Sequence, residues 1–359
     1  MPNPTLLDLS REELGRFVEA HGEPRFRAWQ IWQAVYCELV FPYESITTLP
    51  VALRKMLTTE LPADPLWAID TIESEDRNTR KVLFRLGDGE TVEAVLMKYA
   101  RRWTACLSTQ VGCPVRCPFC ATGKSGYVRN LSVGEIVGQA LHFARELKQR
   151  GERLSNIVYM GMGEPFLNYN ATLKSIRTLN SQEGFALGAR AFTVSTVGIV
   201  PAIERFANEN LQVNLAVSLH AANDELRNDL VPINHHYPLA ELIHACRAYT
   251  ARTHRRVTFE VALIDGLNDS QAQAREMAAL LSGMLCHVNV IPLNPIPECS
   301  FRSSSRKRTE AFATELRQVG ISVTVRLGRG IEIQAGCGQL RSQSAVRQDT
   351  GNHSLSRPR

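Results

Sequence analysis

Three cysteines fall in one short segment, Val111-Gly112-Cys113-Pro114-Val115-Arg116-Cys117-Pro118-Phe119-Cys120, spaced C-x3-C-x2-C. Three thiolates in one loop suit a cubane iron-sulfur cluster, because each can hold one iron while a fourth iron stays open for chelation. The rival reading of the same triplet is a zinc site completed by a distant fourth ligand such as His142 or His220, although C-x2-C pairs are the commoner zinc spacing. The chain carries nine cysteines, an odd count without regular pairing, which favours metal or redox chemistry over a disulfide framework.

Gly161-Met162-Gly163-Glu164-Pro165 joins glycines, which let backbone approach a ligand closely, to one carboxylate that can face an ammonium group. Taken alone, such a segment is most often a turn. Cys337 lies in Gly336-Cys337-Gly338-Gln339-Leu340, where glycines on both sides are expected to leave the thiol accessible and its loop mobile. Cys106 precedes the triplet on the first predicted strand of the regular α/β region. An isolated cysteine is ordinarily a small buried apolar residue, the reading given to Cys37, Cys246, Cys286 and Cys299.

These groups need a scaffold, and the sequence offers one. Residues 8–61 read as helices: Ser10 with Glu13 forms a capping box, Phe26 to Val35 carries apolar residues at helical spacing, and Pro50 opens a third helix. Val82, Phe84 and Leu86 alternate before Gly87-Asp88-Gly89 turns the chain into 91–99, a β-hairpin between domains. Apolar strands are then expected at 105–108, 157–160, 192–196, 213–219, 257–263, 288–293 and 321–327. Helices at 132–150, 170–181, 201–209, 239–252, 270–284 and 306–319 separate them. This alternation implies a parallel sheet with right-handed crossovers, open or closed into a full or partial barrel. In such sheets functional groups collect past the carboxyl ends of the strands, where the Cys loop, Gly163 and Glu164, Ser195, Ser218 to His220 and Asn294 all fall. The expected organisation is a helical accessory domain at 1–72, a hairpin connector at 73–100, the α/β region at 101–340 and a polar, disordered tail at 341–359.

Length, at 359 residues, allows a large α/β domain with an appendage. No window holds the roughly 18 apolar residues of a membrane helix, and the first residues resemble neither a secretory signal nor a transit peptide, so a cytoplasmic location is expected. The net charge of +5 includes basic groups at Lys98/Arg101/Arg102, 252–256 and 302–308, compatible with RNA but equally with solvated surface.

The Cys triplet with an aromatic before its last cysteine resembles the radical S-adenosylmethionine (SAM) superfamily. The Gly-Glu-Pro element, Ser218-Leu219-His220, Pro232-Ile233-Asn234 and the closing 335–340 segment follow in the order of one family. From about residue 20 to 340 the sequence resembles the RlmN/Cfr family of rRNA methyltransferases. The resemblance implies a radical SAM partial (β/α)6 barrel with a small N-terminal helical domain. It implies a [4Fe-4S] cluster on Cys113, Cys117 and Cys120, and SAM held by Gly163, Glu164, Ser195, Ser218, Leu219, His220 and Asn294. By the same resemblance Cys337 accepts a methyl group from one SAM, a radical from a second SAM takes hydrogen from that methyl, and the methylene radical adds to adenine. Such a route has a chemical reason, since the target amidine carbon has no nucleophilic lone pair for ordinary transfer. Cys106 would remove the ring proton and release the product through a transient disulfide with Cys337, and Glu93 would be a proton acceptor. The expected substrates are adenine 2503 of 23S rRNA and adenine 37 of tRNAs, both at carbon 2. A monomer with an electron donor such as flavodoxin is expected. Departures from the family pattern at Ala222, Val231, Gln334 and Gly336 spare every sulfur, with Gly336 expected to loosen the Cys337 loop. The alternatives are a Cfr-like enzyme acting on carbon 8, a methylthiolating enzyme with a further cluster, and a non-catalytic RNA-binding protein with structural zinc.

Overall fold

The computed structural model describes residues 4–297, 299–326 and 330–341, so the tail expected to be disordered lies outside the described residues beyond Arg341. The chain opens with α1 (Arg11–Ala20), α2 (Phe26–Trp32) and α3 (Val51–Glu60). Ser10 Oγ accepts from Glu13 N at 3.1 Å while the Glu13 carboxylate accepts from Ser10 N at 2.6 Å, so the expected capping box is formed. Beyond Trp32 the second helix widens into a π turn, Gln33–Cys37. Leu14, Val18, Ile31, Leu53 and Leu57 are buried, each contributing on the order of 1.5–3 kcal/mol of apolar burial.

Four strands follow, each antiparallel to the next: β1 (Leu66–Glu73), β2 (Thr79–Leu86), β3 (Thr91–Tyr99) and β4 (Arg102–Cys106). The expected hairpin is therefore part of a larger meander, and β1 was not anticipated. Its pattern hides it, because only Leu66 is buried and Trp67, Ile69 and Ile72 are exposed, leaving no alternation to read. The polar run before β2 is the β1–β2 turn, closed by Asp76 Oδ1 on Asn78 N (3.0 Å) and Ser74 Oγ (2.7 Å).

After β4 come β5 (Gln110–Gly112), α4 (Ala121–Lys124), β6 (Tyr127–Asn130), α5 (Val133–Gln149), β7 (Leu154–Tyr159), α6 (Tyr169–Asn180), β8 (Phe192–Thr196) and α7 (Val200–Ala207). The remainder is β9 (Asn214–Ser218), α8 (Asp224–Leu230), α9 (Leu239–Thr253), β10 (Val257–Leu263), α10 (Gln271–Leu281), β11 (Cys286–Pro292), α11 (Arg306–Gln318) and β12 (Ser322–Val325). One ten-stranded sheet has the order β1-β2-β3-β4-β7-β8-β9-β10-β11-β12, parallel from β4 onward, and β5 pairs with β6 in a separate ribbon. The sheet does not close on itself; six strand-helix units from β4 to α11 make the partial barrel, with β12 at its edge. The middle of β9 and nearly all of β10 are buried, as a sheet covered on both faces requires.

The N-terminal helices pack on the barrel through α5. Asp8 Oδ1 accepts from Gly134 N at 2.7 Å, and a Cβ at Gly134 would stand 2.6 Å from Thr5 Oγ1, so only glycine fits that contact. Among the described residues no helix is long and apolar enough to cross a membrane.

Candidate functional site

The Cys loop is held open by its ribbon. Gly112 has φ 73°, and a Cβ there would lie 1.9 Å from Gly126 O, so β5 and β6 can close only on glycine. Cys113 N donates to Gly126 O at 2.8 Å, and Cys120 N to Cys117 O at 3.1 Å. Gly123 on α4 lets the helix lie against the Cys117 backbone, where a Cβ would meet N and O at 2.9 Å.

All three thiols line one cavity at the carboxyl ends of the parallel strands. Burial pushes the Cys113 thiol up to about 12 and Cys117 well above its usual range, with neighbouring charges adding to the effect. Sulfurs in such surroundings become thiolates only beside strong positive charge, which an iron cluster supplies. Among the described residues no three His, Cys, Asp or Glu side chains converge on a single-ion site. What the three thiols share is a cavity wall, the arrangement suited to a group in which each sulfur takes a different iron.

Neither candidate fourth ligand for zinc is placed to serve. His220 Nδ1 accepts from Ala262 N at 3.1 Å, so the proton sits on Nε2 and neither nitrogen offers a free lone pair. Its ring packs edge-on to Phe119 at 4.9 Å, and burial holds it near 3, hence neutral. His142 packs on Phe84 at 5.0 Å, away from the cavity wall.

The opposite walls carry Gly163, Glu164, Ser195, Ser218, His220 and Asn294. Gly163 has φ 99°, with space for a Cβ filled by Gln110 at 2.6 Å. Glu164 is 2% exposed, and burial raises its carboxyl to about 7 against the opposing hydrogen bonds. Its Oε1 accepts from Phe166 N (2.9 Å) and Oε2 from Val197 N (2.8 Å), tying the loop after β7 to the end of β8. The Thr196 side chain also bonds this carboxylate, which leaves one of its lone pairs for an ammonium group. Leu219, by contrast, buries its side chain in the core and is absent from this wall; its backbone N bonds Glu260 O at 3.0 Å.

Cys337 lines the main cavity and also a smaller adjoining chamber, whose wall includes Cys106. Its exposed surface thus opens into these hollows. Burial raises both thiols, and for Cys106 the neighbouring Cys337 raises it further. The loop expected to be mobile is tied down. Asn294 Nδ2 donates to Cys337 O (3.1 Å), Gly336 N to Gln339 Oε1 (2.9 Å), Ala121 N to Gly338 O (2.8 Å) and Thr122 Oγ1 to Leu340 O (2.6 Å). Gly336 does not loosen it: a Cβ there would stand 2.6 Å from Asn294 Nδ2, so glycine permits the close fit.

Glu93 is 1% exposed and off both walls. Its Oε1 lies 3.0 Å from Lys81 Nζ, and its Oε2 accepts from Arg341 N at 3.0 Å, behind the Cys337 segment.

Sequence reasoning missed Arg227, on the unanticipated α8. Wholly buried, it donates to the carbonyls of Leu219 (3.1 Å), Val197 (2.7 Å) and Ser218 (3.2 Å) and to Asn234 Oδ1 (2.5 Å). It fixes the strand ends that carry the cavity's polar groups, and it gives the Pro232-Ile233-Asn234 motif a structural purpose. That motif was the signal that a buried polar partner stood nearby. Glu260 and Arg326, also missed, line the main cavity and the chamber respectively.

A partial barrel with three cysteines and a glycine-flanked carboxylate on one rim defines a radical SAM enzyme. Residues 107–278 match the Radical SAM superfamily model, and residues 4–61 match the ribosomal RNA large subunit methyltransferase N-terminal domain. A probable dual-specificity RNA methyltransferase RlmN of Chloroflexus aurantiacus is 46% identical over 357 residues, covering 96% of this chain and 95% of that one. The protein of the same description from Frankia alni is 48% identical, covering 96% of this chain and 85% of that one. A crystal structure of a radical SAM methyltransferase from Sphaerobacter thermophilus superposes with a TM-score of 0.93 at 52% identity, over 94% of this chain and 99% of that one. The chain belongs to the RlmN family of radical SAM methyltransferases. Its cofactors are accordingly a [4Fe-4S] cluster and SAM.

Proposed function

We propose that this chain methylates carbon 2 of an adenine in structured RNA, at adenine 2503 of 23S rRNA and adenine 37 of tRNAs, with Cys337 as the intermediate methyl carrier. One observation carries the reading: Cys106 and Cys337 line one chamber that adjoins the cavity lined by the cluster cysteines. When bound, the cluster supplies the electron and SAM the methyl group and the radical that adenine's amidine carbon requires.

Cys113, Cys117 and Cys120 hold the cluster, and the walls bearing Gly163, Glu164, Ser195, Ser218, His220 and Asn294 hold SAM. Leu219, buried and with its backbone N and O bonded to Glu260 and Arg227, sets Ser218 and His220 on that wall. Asn294, bonded to the Cys337 carbonyl, fixes the carrier sulfur relative to that wall. In this reading the Cys106 thiolate takes the ring hydrogen as a proton and passes that proton on to solvent. Again a thiolate, it attacks the Cys337 sulfur, so that an S–S bond forms as the S–C bond to the product breaks, its electron pair going to the product carbon, which gains a proton to become the methyl group. Glu93 would accept a proton from behind the Cys337 segment, since its carboxylate lies off both walls. The cytoplasm, a monomeric state and a flavodoxin-type electron donor complete the proposal.

The test is mass spectrometry of nucleosides from both RNAs in a host lacking its own enzyme. The expected product is 2-methyladenosine in each; 8-methyladenosine without the 2-methyl isomer would overturn the regiochemistry.

A further inference from the structure

Arg326 leaves the sheet directly after β12, its backbone N donating to Val290 O at 2.8 Å, and its side chain lines the chamber with Cys106, Cys337 and Tyr99. Among the described residues it is the one Lys or Arg on the wall of either hollow. The other charged groups there are carboxylates. Glu260, on β10, is 5% exposed; its Oε1 accepts from Asn289 at 2.9 Å, and its Oε2 has no hydrogen-bond partner among the described residues.

We propose that Arg326 is a positioning residue for Cys106, its guanidinium stabilising the anionic sulfur inside a chamber that otherwise favours the neutral thiol. The inference rests on the reading of Cys106 as proton acceptor and disulfide partner, and it names the charge which that reading lacks. A buried thiol without a nearby cation is inert, and Cys106 is 7% exposed on β4 between β3 and β7. Burial and Cys337 from the closing segment oppose its ionisation, while the Met160 backbone N–H after β7 and Arg326 from the end of β12 favour it, Arg326 being the one formal charge among them. Arg326 in turn feels Glu260 and Tyr99 as well as both sulfurs, so its charge is shared across the chamber. Arginine suits this position because it keeps its proton under burial where a lysine would yield it.

The test is the pH profile of Cys106 alkylation by iodoacetamide, read by peptide mass spectrometry on the cluster-loaded protein. Arg326→Gln is expected to move the midpoint upward by about one pH unit, slowing alkylation about tenfold below the midpoint. Arg326→Lys should restore only part of the difference, and less as pH rises, because a buried lysine yields its proton. Glu260→Gln, which removes a carboxylate competing for the same guanidinium, should move the midpoint down, and it provides the sign test if Gln at 326 disturbs folding. An unchanged profile in Arg326→Gln, or an upward or absent shift in Glu260→Gln, would overturn the inference.

A turnover profile in RNA separates this role from two others. Its rising limb should move to higher pH in Arg326→Gln, with activity recovered in alkali. A loss uniform in pH would assign Arg326 a structural role, and a raised KM with an unshifted limb would assign it to the substrate. Full turnover by Cys106→Ala would instead sink the reading of Cys106, whatever the alkylation profile shows.

Discussion

Replacing Lys81 with Met should unfasten the segment that carries Cys337. On the shared face of β2 and β3, Lys81 and Glu93 are diagonal neighbours: Lys81 pairs with Val95, and Glu93 with Leu83. Their charged atoms stand 3.0 Å apart with side chains only 7% and 1% exposed, and Lys81 Nζ also reaches Gln334 O at 3.3 Å. The pair thus secures the Cys337 segment at Gln334 and at Arg341. Methionine keeps the apolar stem and removes the charge, leaving the Glu93 carboxylate buried with the Arg341 N–H as its remaining donor among these contacts. Breaking a buried pair from one side costs about 3–5 kcal/mol, whereas replacing both charges together is often close to neutral. Guanidinium unfolding of the wild type, Lys81→Met, Glu93→Gln and the double variant closes a mutant cycle. The expected result is a loss of several kcal/mol for Lys81→Met and recovery of roughly half or more in the double variant. A single-variant loss below about 1 kcal/mol, or a double variant no better than Lys81→Met, would refute the clamp.

Two further outcomes follow from buried groups around the cavity. Glu164 has its carboxyl raised to about 7 from 4.5, so in cluster-free protein it favours folding below pH 4.5, and that contribution is lost as pH rises through 7. The loss is at most about 3 kcal/mol, and Glu164→Gln should flatten that part of the stability curve; an unchanged slope would show that another group causes it. Arg227→Met strands three carbonyls and the Asn234 amide oxygen, and should cost about 3–5 kcal/mol and weaken SAM binding to reconstituted enzyme in calorimetry. Arg227→Lys should fail to restore binding, since one ammonium cannot span the four acceptors. Wild-type affinity in either variant would contradict the role given to this arginine.

The parallel region was legible because each buried strand is a short apolar run and each long helix an amphipathic one, and the capping box at Ser10 and Glu13 marked the start of α1 in the N-terminal region. Past those strands, topology alone put the Cys loop, Glu164, Ser195, Ser218 and Asn294 on one rim. What escaped lacked a periodic signal. β1 shows apolar residues to solvent, β5 and β6 are too short for a pattern, and α8 is a seven-residue helix rich in charge. Arg227, Glu260 and Arg326 look like surface residues in sequence, and only the fold buries them against specific partners. The Cys337 loop was misjudged for a related reason: glycine was read as freedom, whereas at Gly336 it allows Asn294 and Gln339 to pack against the backbone.

The central claim is that a protein sulfur, Cys337, carries the methyl group from SAM to RNA. Peptide mass spectrometry on enzyme incubated with SAM tests it most directly, alongside RNA methylation by Cys337→Ala containing a full cluster by its iron content and absorption. The account predicts one added methyl group on the Cys337 peptide of the wild type, and no methylated RNA from the cluster-loaded variant. Methylated adenine produced by Cys337→Ala would contradict it.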